Sequence, residues 1–292
     1  MFHTILVPLD GSKLAERAVP AATAVAATPG ARLLLLRVVP PLAMRVDPQL
    51  YEQLTHQRED EAAAYLRRIQ ANLAAAHVAA DVRVVHGPVA ETLLHIAQEE
   101  PIDLVVISSH GRSGLTRWVY GSVAEKLLHA PICPTLIIRA QVDETGFPRR
   151  HVLVPLDGSP LAEQALPPAQ AVAQTIGARL TLVRVVQAAH LLIETQTMKQ
   201  QADYLESLEE SEAVTYLEQT ADRLAKAGTA VSTHLLVGQA ADAIIDYAAA
   251  HDVDLIVMSS HGRSGLERWV YGSVTEKVLR GATCATLIIR DA

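Results

Sequence analysis

SSHGRSGLTRWVYGSVAEKLL, residues 108–128, and SSHGRSGLERWVYGSVTEKVL, residues 259–279, are one stretch of 21 residues written twice with three changes. The changed pairs are Thr116/Glu267, Ala124/Thr275 and Leu127/Val278, which a helix surface and a core absorb. Everything glycine-rich, hydroxylated or basic is retained. A loop that serves folding alone varies more freely than this, so the repetition poses a functional question.

The repetition extends outward. VPLDGS recurs at Val7–Ser12 and Val154–Ser159, 147 positions apart, and Arg37 and Arg184 keep that offset; Tyr65 and Tyr216, like the long stretch, are 151 apart. The four extra residues of the second copy therefore fall between Val186 and Tyr216, at a loop or helix start. AQVDETGFPR, starting at Ala140, has no apolar period and contains Gly and Pro, the marks of a linker. The expected organisation is one domain over 1–140, a linker over 141–149 and a second domain over 150–292. A repeat this long is a duplicated domain, not an array.

Length and composition suit two globular domains: 292 residues, half of them apolar. The balance of 25 Lys+Arg against 32 Asp+Glu gives a net charge of -7, and no segment concentrates basic residues. Binding to long nucleic acid lacks its electrostatic footprint. The opening MFHTILVPLDGS runs straight into a strand-like stretch without a basic leader, and no apolar run approaches the ~18 residues of a membrane span. A cytoplasmic protein is expected. The two cysteines, Cys133 and Cys284, occupy one position in the two copies and read as free buried thiols. None of the twelve histidines clusters with them, so no protein-bound metal is expected.

In the first copy the apolar runs TILVPL, RLLLLRVV, DVRVVHG, DLVVIS and PTLIIR are short, rich in Val, Ile and Leu and nearly continuous, the pattern of strands buried on both faces. Between them lie helical patterns: an alanine-rich segment from Ala15 to Ala27, an apolar face of Leu50, Leu54, Ala62, Leu66, Ile69 and Leu73, a helix after Gly87-Pro88, and a last helix near Gly121-Ser122. The order β-α-β-α-β-α-β-α-β predicts an α/β fold, two tandem doubly wound domains, each a five-stranded parallel sheet with helices on both faces. Ligands of such sheets sit beyond the carboxyl ends of strands where the strand order reverses.

Two loops fall at those ends. PLDGS follows strand one and places Asp10 and Asp157 at the carboxyl edge; SSHGRSG follows strand four, and a Gly-Ser pair then opens the last helix. Gly111, Gly262, Gly121 and Gly272 allow close approach of backbone to a ligand, while Ser122 and Ser273 are expected to cap a helix whose free N–H groups face an anion. Arg112, Arg117, Arg263 and Arg268 add positive charge nearby in sequence. The competing reading is architectural: Asp-Gly-Ser as a turn with an N-cap, Gly-Ser as another cap. Trp118, Tyr120, Trp269 and Tyr271 read as anchors packing the loop onto its own domain.

Sharper motifs fail. No lysine completes a Walker A loop, no Gly-x-Gly-x-x-Gly follows strand one, and Leu115 and Leu266 spoil a Gly-x-Ser-x-Gly elbow. A hydrolytic triad of Asp10, His110 and Ser109 or Ser113 lacks a nucleophile turn and a defined oxyanion hole.

The VPLDGS start, the alanine-rich helix, RVV closing strand two and the glycine loop with its terminal Gly-Ser resemble the universal stress protein family over nearly the whole chain, as a tandem pair. The family's motif Gly-x2-Gly-x9-Gly-Ser/Thr is met in spacing at Ser108, Gly111, Gly121 and Ser122 and at Ser259, Gly262, Gly272 and Ser273, with serine in place of the first glycine. The resemblance implies a Rossmann-like, adenine nucleotide alpha hydrolase-like fold and one ATP pocket per domain, with magnesium on the phosphates. Adenine is expected near Asp10 and Val38, and ribose and phosphates at Ser108, Gly111, Gly121, Ser122 and Val123, with Pro8, Leu9, Ile107, His110 and Arg112 flanking. The second domain's matching positions are Asp157 and Val185, then Ser259, Gly262, Gly272, Ser273 and Val274, flanked by Pro155, Leu156, Met258, His261 and Arg263. The resemblance further implies pairing through the last strands, as an intramolecular pseudo-dimer that would bring Cys133 and Cys284 near its axis, and a homodimer beyond it. The expected function is a nucleotide-occupied signal in stress survival with slow or no hydrolysis; the alternative is a nucleotide-independent interaction protein with an architectural glycine loop.

Overall fold

The computed structural model describes residues 2–27, 29–42, 47–109, 121–130, 133–139, 150–187, 196–260 and 272–290. The chain divides between Phe147 and Pro148 into two compact units. The expected linker and the excursions 110–120 and 261–271 lie outside the described residues, and with them His110, Gly111, Arg112, Arg117, Trp118, Tyr120, His261, Gly262, Arg263, Arg268, Trp269 and Tyr271.

The first unit runs β1 (Thr4–Pro8), α1 (Lys13–Glu16), α2 (Ala18–Val25), β2 (Arg32–Val39), α3 (Pro48–Ala75), β3 (Ala80–His86), α4 (Val89–Glu99), β4 (Leu104–Ser108), α5 (Ser122–His129) and β5 (Thr135–Ile138). Its strands lie in the order β3-β2-β1-β4-β5, all parallel. The second unit repeats the plan: β6 (His151–Pro155), α6 (Pro160–Glu163), α7 (Leu166–Ile176), β7 (Arg179–Val186), α8 (Gln196–Lys226), β8 (Val231–Val237), α9 (Ala240–Ala250), β9 (Leu255–Ser259), α10 (Ser273–Gly281) and β10 (Ala285–Ile289). Its order is β8-β7-β6-β9-β10, again parallel. In each unit the chain builds outward from its first strand in one direction and then in the other, so right-handed crossovers set helices on both faces of the sheet. This is the expected doubly wound α/β architecture.

The inner strands are buried as their sequences demand: Ile5, Leu6, Val7, Leu33, Leu35, Leu36, Leu104 and Val106 are inaccessible to solvent. Three expectations need correction. β3 and β8 are not covered on both faces: each is the outer strand of its sheet, and most of their residues stay half-buried or exposed. The alanine-rich segment is two helices, because Pro20, like Pro167 in the second unit, has no N–H to return to a carbonyl of the preceding turn. The apolar face of α3 is buried at Ala62, Leu66, Ile69 and Leu73 but not at Leu50, which is 44% exposed. A 28-residue helix is about 42 Å long, whereas the eight-residue β2 spans about 26 Å, so its first turns run past the sheet. Among the described residues no helix is long and apolar enough to cross a membrane.

The amino edge of each sheet is fastened by one carboxylate. Asp103 accepts the N–H groups of His3 and Thr4, both at 2.8 Å, and Asp254 accepts those of Arg150 at 2.9 Å and His151 at 3.0 Å. In the second unit the edge also carries a buried histidine. His151 Nδ1 lies 3.0 Å from the His251 carbonyl and its Nε2 2.8 Å from Thr181 Oγ1, so both ring nitrogens have partners. Burial, reinforced by the Arg179 guanidinium at 2.9 Å, holds its pKa below the usual histidine range. A folded-state pKa below the unfolded one means that the unfolded chain binds the extra proton, so stability is full above about pH 6.5 and falls as pH drops through that value. The thermal midpoint of the second unit should therefore decline between pH 7 and pH 5, and His151→Thr, carrying the residue of the first unit (Thr4), should show a shallower decline in the same scan.

Candidate functional site

Beyond Pro8 the chain leaves β1 in a tight turn. Asp10 Oδ1 accepts the Ser12 N–H at 2.9 Å, and Ser12 Oγ caps α1 by accepting the Ala15 N–H at 3.1 Å. Asp157 and Ser159 repeat both bonds at 2.9 and 3.1 Å. The turn reading of Asp-Gly-Ser is thus realised in both copies. It does not exhaust Asp10, which also lines a cavity.

The cavity holds about 450 Å³ and lies at the carboxyl ends of β1, β2 and β4, where the strand order reverses. Of the positions expected from sequence, it brings together Pro8, Leu9, Asp10, Val38, Ile107, Ser108, Gly121 and Val123. Ser122, the first residue of α5, stands between the last two. A volume of this size is that of a small-molecule site.

At the start of α5 one expectation is corrected. Gly121, not Ser122, is the N-cap (φ -57°, ψ 147°), a residue with no side chain to cap the helix; Gly272 does the same for α10 (φ -54°, ψ 145°). Gly121 N–H donates to the Ser109 carbonyl at 3.0 Å, and Ser109 N–H to the Ile138 carbonyl at 2.8 Å, so the helix start is tied to β4 and through it to β5. Gly272, Ser260 and Ile289 repeat the chain of bonds at 3.0 and 2.9 Å. The N–H groups of the first helical turn have no intrahelical acceptor and, among the described residues, no capping side chain, which leaves the positive end of the helix dipole at the cavity wall.

Ser108, which stands where the family motif has its first glycine, is 5% exposed and its Oγ has no hydrogen-bond partner among the described residues. Neither Ser108 nor Ser259 has a positive φ, so serine occupies the position without backbone strain. A buried hydroxyl left unbonded at a cavity wall costs stability unless a ligand or water meets it.

Sequence reasoning missed the cationic wall. Arg37 and Arg58 both line the cavity. The Arg37 guanidinium lies 5.2 Å from the centre of the Tyr65 ring, and Arg184 lies 5.5 Å from that of Tyr216. Burial first, then the charges of Glu16 and Asp10, raise the Tyr65 hydroxyl well above its ordinary range; burial and the hydrogen bond to Glu163 push that of Tyr216 up to about 12. Both rings stay neutral, apolar supports for an arginine. The signal was in the sequence: a charge inside the apolar run LLLLRVV, repeated at Arg184. Arg58 had no such signal. Its Nη1 donates to the Pro40 carbonyl at 3.1 Å, and among the described residues no carboxylate pairs with it. Glu61, Val89, Leu93 and Ala124 complete the wall from α3, α4 and α5.

In the second unit Pro155, Leu156, Asp157, Val185, Met258, Ser259, Gly272, Ser273 and Val274 occupy the same strand ends and helix start. Cys133 is buried and Cys284 half-buried.

Fold and strand-end architecture define a tandem pair of doubly wound α/β domains. The chain belongs to the universal stress protein family: the family profile matches residues 1–139 and 148–290, one domain each. It is similar over its full length to a universal stress protein of Mycolicibacterium smegmatis, 26% identical with 99% of this chain and 97% of the relative covered. A universal stress protein of Mycobacterium tuberculosis is 28% identical, with 99% and 98% covered. A universal stress protein of Bacillus subtilis is 31% identical over 48% of this chain and 100% of its own length, one domain's worth. The crystal structure of a universal stress protein from Archaeoglobus fulgidus shares the fold with a TM-score of 0.72 at 21% identity, covering 99% of this chain and 98% of that one.

Gly11 has φ +86°, and a Cβ there would stand 3.0 Å from Arg37 Nη1. Gly11→Ala should therefore cost about 1–3 kcal/mol in a denaturant titration and displace the guanidinium from the cavity; unchanged stability would show that the turn relaxes freely.

Proposed function

We propose that this protein binds ATP at the cavity beyond β1 and β4 and acts in stress adaptation as a nucleotide-occupied switch, with hydrolysis slow or absent. The observation that carries the reading is the convergence of a helix start with no capping side chain among the described residues, the unbonded Ser108 hydroxyl and two arginines on a single cavity at the strand reversal. Polyphosphate suits such a cavity because helix N–H groups and guanidinium groups both donate to phosphate oxygens. Asp10 and Val38 stand at the opposite side of the reading, as acceptor and apolar contact for adenine and ribose. Magnesium would arrive on the phosphates, as it commonly does.

Fast phosphoryl transfer asks for more. It needs a cation on the terminal phosphate and a group that orients the attacking water. The described lining contains no lysine, and Asp10, a carboxylate of that lining, has one oxygen engaged in its turn. The chain's own residues support binding and orientation, not rapid turnover.

The Asp10 and Ser12 bonds, realised identically in both copies, favour a second reading in which these loops are architectural and a nucleotide-independent protein partner is bound. One variant separates the two. Because Gly121 has an ordinary negative φ, Gly121→Val is compatible with the backbone and adds its bulk at the cavity wall. Purified protein should release adenine nucleotide on denaturation, read by mass spectrometry, and Gly121→Val should weaken Mg-ATP binding at least ten-fold in calorimetry with little loss of thermal stability. No released nucleotide and no calorimetric binding by the parent protein would sink the ATP reading.

A further inference from the structure

We infer that the two sites are unequal: polyphosphate is held by the first unit, and Arg58 and Ala124 are the residues that decide it. This rests on the ATP reading above and extends it to which site is filled.

The register between the units is fixed by burial. Ala62 and Ala213, Leu66 and Leu217, and Leu73 and Leu224 are 151 positions apart and buried alike, so α3 and α8 superpose residue for residue. The same offset sets Glu209 where the first unit has Arg58, and Glu212 where it has Glu61. The first unit's wall balances Arg37 and Arg58 against Asp10 and Glu61. The matching set in the second unit is Arg184 against Asp157, Glu209 and Glu212. A cation that has no carboxylate partner among the described residues has become an anion, in a lining that is to receive a polyanion.

The helix start has changed in the same sense. Ala124 lines the first cavity and is 2% exposed. At that position the second unit has Thr275, 3% exposed, whose Oγ1 donates to the Ser259 carbonyl at 3.1 Å. A hydroxyl and a methyl group thus stand on the first turn of α10, beside the backbone N–H groups that an anion would approach. Of the three changes in the repeated stretch, this one falls on the cavity wall and Thr116/Glu267 adds one more negative charge to the second copy. Of the remaining differences along the wall, Leu36/Val183, Val89/Ala240, Leu93/Ile244 and Ile107/Met258 exchange one apolar side chain for another, and Pro40/Gln187 sets an uncharged amide in place of a proline.

Charge reversal beside a polyphosphate, partly screened by solvent, amounts to at least about a ten-fold difference in affinity, equivalent to 1.4 kcal/mol. The test is equilibrium dialysis and calorimetry of the full chain with Mg-ATP, at low ionic strength. One tight site per chain is expected, with the second weaker by ten-fold or more. Arg58→Glu should abolish the tight site's advantage, Ala124→Thr should weaken that site, and Glu209→Arg with Thr275→Ala should raise the second towards it. Circular dichroism should be unchanged for the α3 and α8 variants, whose side chains lie outside the core. Two sites of equal affinity, or an Arg58→Glu protein that binds as the parent does, would overturn the inequality and leave the ATP reading standing. No Mg-ATP binding at either site would overturn both.

Discussion

β1 has a parallel neighbour on each side and helices over both faces, and from that constraint the placement of the site follows. Its backbone is satisfied by β2 and β4, and its side chains are buried, so the first polar atoms it can present lie past Pro8. β4 is constrained in the same way between β1 and β5 and ends at Ser108. Because the chain departs from β1 in two directions, the crossover helices separate at those two strand ends and leave a cleft. Residues of three strands and of the closing helix reach it without any long-range coincidence in the sequence.

Much of this was legible before the structure. Five apolar runs in the first copy gave its five strands, and their alternation with helices gave a parallel sheet covered on both faces. The loops that carry Asp10 and Ser108 were placed at the correct sheet edge for the same reason. What was not legible depended on three dimensions. Arg58 sits on a long polar helix whose sequence marks no residue as special, and only the packing of α3 on β2 brings it to the cavity. The cap of α5 was read one residue late, because Gly-Ser suggests a serine cap while the turn is closed by the glycine N–H bonding to Ser109. Leu50 fitted a helical stripe, yet the sheet ends before the helix does. Periodicity reports which face is apolar, not how far the opposing layer extends.

Duplication gives an internal control. Where the two units agree, as in the Asp-Gly-Ser turn, the ring under the strand arginine and the amino-edge carboxylate, the shared physics is that of the fold. Where they differ, the differences are not scattered. Arg83 and Glu100 form an ion pair at one edge of the first unit, and His234 and His251 stand at the matching positions in the second, beside Tyr247, whose ring stacks on His251 with centroids 3.9 Å apart. A half-exposed ion pair contributes modestly to stability, so exchanging it for stacked rings substitutes one modest interaction for another.

The bond between Gly121 and Ser109 has a consequence for the stretch of chain it closes. A segment whose two ends are already fastened 3.0 Å apart is a closed ring, and closure entropy grows only with the logarithm of contour length, by about 0.6 kcal/mol for each doubling. The sheet and the closing helix therefore do not sense how many residues the ring contains. Both copies nevertheless keep the same number of residues between these anchors, Ser109 to Gly121 and Ser260 to Gly272, so that constancy is not owed to the anchorage.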